Sequence, residues 1–390
     1  MCEEQNYIHP ITAFDDVPRD EQEPASHLVG EFDYLNRSGR PEAAAVRALV
    51  DQWLTDYPAA HRPEMVRRLR SRGDTLHRSS LFELMLHALL VRQGFRVIEI
   101  EPELPNGRAP DFLVEMPNGT RFFLEATLAT GMDQASAGAD RRMREALQAI
   151  DEVESPDFFL QLRTTGMPTQ PIALRQLRRS LQRFVESLDY DRAVESLDRG
   201  LDEAPVWQHI EHNTHFIIHP FPKNVRREGG RAVGVRMLPG GIIHPEAAIR
   251  SAVENKAGRY GEIDLPLIIA VNALEEYANV EHAIDALFGT TSVVVREGCE
   301  PQAVRNPDGA WRGPVGAVNT RSSAVLFVAR LSAWSVAQRS LSLVINPWAR
   351  NPIGDIPLGV EVRKVIDERL HTQAGQKLRE IFNIPDGWPE

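Results

Sequence analysis

Three carboxylates stand at places where a packed core would exclude charge. Glu83 lies inside the apolar run 81–91, whose only other polar residue is His87. Asp111 follows Pro110, and Glu125 precedes Ala126 and Thr127 on the far side of the turn Pro117-Asn118-Gly119. A lone carboxylate in an apolar helix is costly unless it is paired, protonated or bound to a cation. Carboxylates gathered by a helix and a hairpin are suited to holding a divalent metal against a phosphodiester. Each residue also has a plainer reading. Glu83 and His87, four apart and therefore on one helix face, would mark a solvent stripe, and Glu125 would alternate outward on a half-buried strand. Leu84, Leu86 and Leu90 crowd that stripe and weigh against the plain reading of Glu83.

The elements that must position these residues are legible from hydrophobic period. Helices are expected at 41–72, in two segments, and at 80–93, where Gly94 provides a stop. Alternating and β-branched runs predict strands at 95–100, 112–116 and 121–128, the last two joined by a hairpin turn. A helix at 140–150, a strand at 158–162 and a long helix at 170–188 follow. Strands at 215–221 and 232–238 flank a basic loop. A helix at 244–258 then leads into the continuous apolar run 265–271, as expected of a buried central strand. Further strands are expected at 293–295, 323–331 and 340–345, and helical period at 360–382. Residues 1–40 carry no sustained period and read as a surface-draped polar segment.

At 390 residues, 42% hydrophobic and 25% charged, the chain has ample core for one large domain or two. No apolar run reaches the roughly 20 residues needed to span a bilayer. The acidic N-terminus lacks the features of a signal peptide. Only Cys2 and Cys299 are present, so a disulfide framework or cysteine-rich metal site has no support, and a cytoplasmic setting is expected. A net charge of −11 argues against non-specific coating of nucleic acid but leaves room for a local basic groove. Arg67, Arg68, Arg70 and Arg72 form one cluster, Arg175, Arg178, Arg179 and Arg183 a second, and the loop 223–231 a third. Taken singly, each reads better as a solvated face than as a phosphate track.

The order of helix glutamate, Pro-Asp and Glu-x-Thr resembles the PD-(D/E)xK nuclease superfamily, the restriction-endonuclease-like fold. Its pattern is a glutamate on the first core helix, then Pro-Asp, then (Asp/Glu)-x-Lys on the next strand. The resemblance implies Asp111 and Glu125 as ligands of Mg²⁺ or Mn²⁺, with the Ala126 carbonyl and Glu83 completing the site. It departs at Thr127, where the family lysine would stand; threonine can hold a water but supplies no cation. Lys256 is the candidate replacement. It lies on or beside the face Ile249, Ala252, Val253, Ala257 and Tyr260, and a lysine there either snorkels to solvent or meets an acid. Members of the superfamily move this lysine onto a neighbouring helix.

The expected fold is thus an α/β restriction-endonuclease-like mixed sheet flanked by helices. An N-terminal polar and helical region at 1–74 would precede a core at 75–350, with an insertion at 128–244 and a C-terminal helical tail at 351–390. The expected activity is metal-dependent phosphodiester hydrolysis by Glu83, Asp111, Glu125 and Lys256, with DNA favoured over RNA and no membrane partner. Thr127, His87, Arg175, Arg179, Lys223, Arg226 and Arg227 are the candidate nucleic-acid contacts. The rival reading is a catalytically silent nuclease fold that binds nucleic acid or a protein. Other motifs carry less. His209, His212, His215 and His219 lack companion zinc-ligand patterns. No phosphate loop, dinucleotide fingerprint or nucleophile elbow is present. Trp348, in the turn-rich segment 346–352, is favoured for packing over base stacking.

Overall fold

The computed structural model describes residues 12–130, 134–200, 203–224, 233–237, 244–294 and 300–389. Arg226, Arg227, Cys2 and Cys299 lie outside the described residues. Four helices come first: α1 (Glu31–Arg37), α2 (Pro41–Asp56), α3 (Arg62–Leu69) and α4 (Asp74–Arg92). Strands β1 (Arg96–Ile100), β2 (Phe112–Glu115) and β3 (Arg121–Ala129) follow. Next are α5 (Gln134–Asp151), β4 (Phe158–Thr165), α6 (Leu174–Glu186), α7 (Tyr190–Arg199), β5 (Trp207–Glu211), β6 (Thr214–Pro222) and β7 (Val233–Met237). Then come α8 (Pro245–Ala257), β8 (Leu267–Ala273) and α9 (Val280–Phe288). Two small pairs follow, β9 (Thr291–Val294) with β10 (Gln302–Arg305) and β11 (Arg312–Gly313) with β12 (Gly316–Ala317). The chain closes with β13 (Ser322–Ala329), β14 (Ser342–Ile345), β15 (Glu361–Ile366), β16 (Arg369–Gln373) and α10 (Leu378–Phe382). Among the described residues no helix is long and apolar enough to cross a membrane.

The chain divides into two compact units, the first built from residues 1–23, 30–131 and 244–390, the second from 24–29 and 132–243. Unit 1 is mixed α/β. Its eight-stranded sheet runs β1-β2-β3-β8-β13-β14-β15-β16, with β3, β8 and β13 parallel, β2 and β14 antiparallel to them on either side, and β14 paired in parallel with β15. All seven residues of β8 are buried, as a parallel strand covered on both faces requires. Its alternate side chains divide between two cores. Ile268 and Ala270 face the layer that contains α4, while Leu267, Ile269 and Val271 face the layer that contains α8 and α9. The one polar residue, Asn272, is satisfied: its amide donates to the Leu331 carbonyl at 2.9 Å and its oxygen accepts from Leu331 N at 3.0 Å.

Local signals explain the segment that carries the acidic residues. Gly94, at φ +78°, ends α4 in a left-handed conformation that a side chain would strain. Gly119, at φ +85°, makes the same provision between β2 and β3. Phe123 packs in the α8 layer, so Glu125, two residues on, points to that layer too. The helix bearing Glu83 and the helix bearing Lys256 therefore cover opposite faces of the sheet.

Two expectations are corrected. Residues 12–40 are not merely draped. Phe14 stacks on Phe32 at 5.7 Å, and Phe32 and Leu35 of α1 are buried; seven residues are too few to display a hydrophobic period. The expected helical tail is instead the hairpin β15–β16, and only α10 is helical. Val362, Val365 and Ile366 favour extended backbone. Asp367 and Glu368, at φ 47° and 62°, form its two-residue turn.

Unit 2 has its own four-stranded sheet, ordered β5-β6-β4-β7. Its core includes Leu147, Leu160, Leu177, Leu181, Phe216 and Ile218.

Candidate active site

Asp111 immediately precedes β2, where the ladder with β3 stops at Phe112↔Leu124. Beyond that point β3 has no strand partner on its β2 side. Phe123 N donates across the other edge, to Pro266 O at 2.8 Å. Main-chain groups alternate sides along a strand, so the N–H and C=O of Ala126 face the opening that β2 leaves. Asp111 uses it: its Oδ2 accepts from Ala126 N at 2.6 Å, and its own N–H donates to Glu125 Oε2 at 3.2 Å. The Pro-Asp and Glu-x-Thr segments are thus stitched together reciprocally, a main-chain N–H of each donating to a carboxylate of the other.

Glu125 is 2% exposed. Its Oε1 accepts from the Nζ of Lys256 on α8, and Arg259 NH1 lies 4.0 Å from the same oxygen. The α8 face anchored by Ile249 and Val253, both fully buried, brings the lysine there. The buried Tyr260 phenol is pushed up, by burial first and then by Glu125. Thr127 shares the strand face of Glu125 and is half-buried.

Glu83 is held from the other layer. Tyr57 donates its hydroxyl to Glu83 Oε1 at 3.1 Å, and Arg68 donates to both carboxylate oxygens. Burial raises the Glu83 acid, against the lowering effect of Arg68 and Tyr57. At Asp111 burial, then the charges of Glu125 and Glu83, push the carboxyl well above its ordinary range; the Ala126 N–H and Lys256 pull it back only in part. Burial and the neighbouring carboxylates thus both disfavour the charged form of Asp111.

The chain matches no family model, no curated protein and no solved structure with which it was compared.

Chemically, the opening at the end of β2 offers hard oxygen donors: the carboxylates of Asp111 and Glu125 and the carbonyl of Ala126. Among the described residues no three His, Cys, Asp or Glu side chains group as a metal cluster by themselves. The set suits a cation that keeps several waters and needs only one or two carboxylates, as Mg²⁺ does. Both oxygens of Glu83 are already hydrogen-bonded, as are both oxygens of Glu125, and a carboxylate oxygen that accepts one hydrogen bond keeps a second lone pair.

The other expected residues are dispersed. His87 is 2% exposed, packed on Tyr57 and Phe112 at ring separations of 4.8 and 6.1 Å, and does not reach a surface ligand. Lys223 is also withdrawn: its Nζ donates to Ser155 O at 2.6 Å and sits 5.0 Å from the Phe159 ring centroid. These two positions are corrected from nucleic-acid contacts to internal packing. Arg175 and Arg179 are exposed in unit 2, beside Arg183, along one shallow hollow. Tyr57, Arg68 and Arg259 were not singled out as site residues by the sequence. For Arg68 a signal existed: it follows buried Met65 by three residues and precedes buried Leu69, which sets it beside the buried stripe of α3.

Proposed function

We propose that unit 1 is a restriction-endonuclease-like nuclease core that hydrolyses phosphodiester bonds with Mg²⁺ or Mn²⁺, DNA being the favoured substrate. The observation that carries this reading is the ion pair between Lys256 and Glu125. Placing a lysine and a glutamate together in a largely buried site costs desolvation that an apolar pair would avoid. Here the lysine supplies a cation on the strand face where Thr127 cannot.

In this reading Asp111 and Glu125 hold the metal with the Ala126 carbonyl. When bound, the ion polarises a phosphate oxygen and lowers the pKa of its water. The nearby carboxylates of Glu125 and Glu83 act on Asp111 in the direction that a bound cation would offset. Lys256, fixed by Glu125, would direct N–H donors toward the attacking water or the charge that develops on the phosphoryl oxygens. The Thr127 hydroxyl can hold a water on the same face. Arg68 and Tyr57 hold Glu83 in place behind Asp111. Arg175 and Arg179 are candidates for backbone phosphate contacts.

The silent-scaffold reading draws on Thr127 and on the engagement of all three carboxylates by the protein itself. One assay separates the two. Purified protein is offered plasmid, single-stranded DNA and RNA with Mn²⁺ or Mg²⁺, beside Asp111→Ala and Lys256→Ala. The expected outcome is metal-dependent cutting abolished by Asp111→Ala and slowed about 10²–10⁴-fold by Lys256→Ala, the usual scale of a positioned proton-transfer group. An unchanged rate in Lys256→Ala removes the lysine from the mechanism. Wild-type protein inert on all three substrates moves the assignment to the scaffold.

A further inference from the structure

Trp348 is 40% exposed, yet it is not loosely held. Its main-chain N–H donates to Asn346 Oδ1 at 3.0 Å, and the buried Asn346 side-chain amide donates to Ser322 O at 2.8 Å. The indole rests on Phe288 at 6.0 Å, and Phe288 in turn meets buried Trp311 edge-on at 5.4 Å. A fixed aromatic face is thus left partly open to solvent.

That face lines a cavity of about 680 Å³ in unit 1, which also takes in Arg305, Arg312 and Glu368. Arg305 is braced, donating to Gly289 O at 2.7 Å and to Asp285 Oδ1 at 3.0 Å. Arg312 is exposed, and its guanidinium has no partner among the described residues. Glu368 comes from the β15–β16 turn, where its positive φ fixes the backbone. The cavity shares no residue with the acidic site.

We infer that this cavity binds a nucleotide unit, its base stacked on Trp348, its phosphate on Arg312, and an exocyclic amino group of the base donating to Glu368. Each part is matched by chemistry. A planar π-system stacks on an open indole whatever its sequence. A guanidinium without an internal partner is a ready phosphate ligand. A carboxylate accepts from the amino groups of adenine, cytosine or guanine and finds no amino donor on thymine. The volume falls in the range of small-ligand sites. The unit can arrive as a free mononucleotide or as part of a single strand.

The test is calorimetric titration of the full chain in EDTA with dAMP, dTMP and a short oligo-dA strand, beside Arg312→Glu, Trp348→Ala, Trp348→Phe and Asp111→Asn. Circular dichroism confirms that each variant is folded. The expected result is dAMP binding weakened roughly tenfold or more by Arg312→Glu and by Trp348→Ala, the scale of one base stack, with Trp348→Phe retaining most of the affinity. Asp111→Asn leaves it unchanged, so this site stands or falls separately from the nuclease reading. Oligo-dA binding with the same sensitivities, without dAMP binding, assigns the nucleotide to a strand. Absence of binding by both ligands, or binding indifferent to Arg312→Glu and Trp348→Ala, overturns the inference. Equal affinity for dTMP overturns the role of Glu368.

Discussion

Glu83 is buried at 3% exposure, and Arg68 is its only cationic partner at hydrogen-bonding distance among the described residues. Removing one partner of such a pair leaves a charge without compensation, whereas removing both can be nearly neutral. Arg68→Met is therefore expected to cost about 3–5 kcal/mol, and Arg68→Met with Glu83→Leu to recover most of it, as read by urea denaturation. His87 gives the pH dependence. Burial lowers its pKa from 6.5 to about 4, so below pH 6.5 the unfolded chain takes a proton that the folded chain refuses. Stability is lost as pH falls from about 6.5 to about 4, on the order of 3 kcal/mol in all. His87→Leu should flatten that limb of a denaturation series run between pH 7.5 and 4.

At the scale of elements, β8 and β16 mark the extremes of the sheet. Every residue of β8 is buried, while every residue of β16 is exposed at the edge. Ile269→Ala should cost about 2–5 kcal/mol through the cavity it leaves, whereas Thr372→Ala should stay within about 0.5 kcal/mol; chemical denaturation of both variants checks the contrast. The same difference explains what the sequence disclosed. The apolar β8 and the Pro-Asn-Gly hairpin β2–β3 announce themselves through period and turn chemistry, which are local. The β15–β16 hairpin is short and rich in charge, so a spurious helical period masked it. Lys256 was legible because the face of α8 shows where a cation would meet the sheet. Arg68 was read with its neighbours as a solvated cluster, because its partner lies on α4 and the choice of partner is a tertiary event. Trp348 gave no sign of its exposure, since solvent access at a turn depends on what the remaining chain leaves uncovered.

At the scale of the whole molecule, the residues of the acidic site all belong to unit 1, though unit 2 interrupts that unit in sequence. The charge of −11 is carried by the full chain, so any attraction to a polyanion has to be local, through groups such as Arg175, Arg179 and Arg312, and not through the net field. The parallel pairing of β3 with β8 requires a crossover, and the crossover here contains all of residues 130–266. Glu125 and Lys256 are consequently 131 residues apart in the chain. At translation rates of about 5–20 residues per second, Glu125 is joined to the chain roughly 7–26 seconds before Lys256. Throughout that interval the growing polypeptide lacks the amine, the central strand β8 and the helix that aims the one at the other. The pairing of Glu125 with Lys256 is thus withheld from the nascent chain by the order of synthesis alone, until about two-thirds of the 390 residues have been joined.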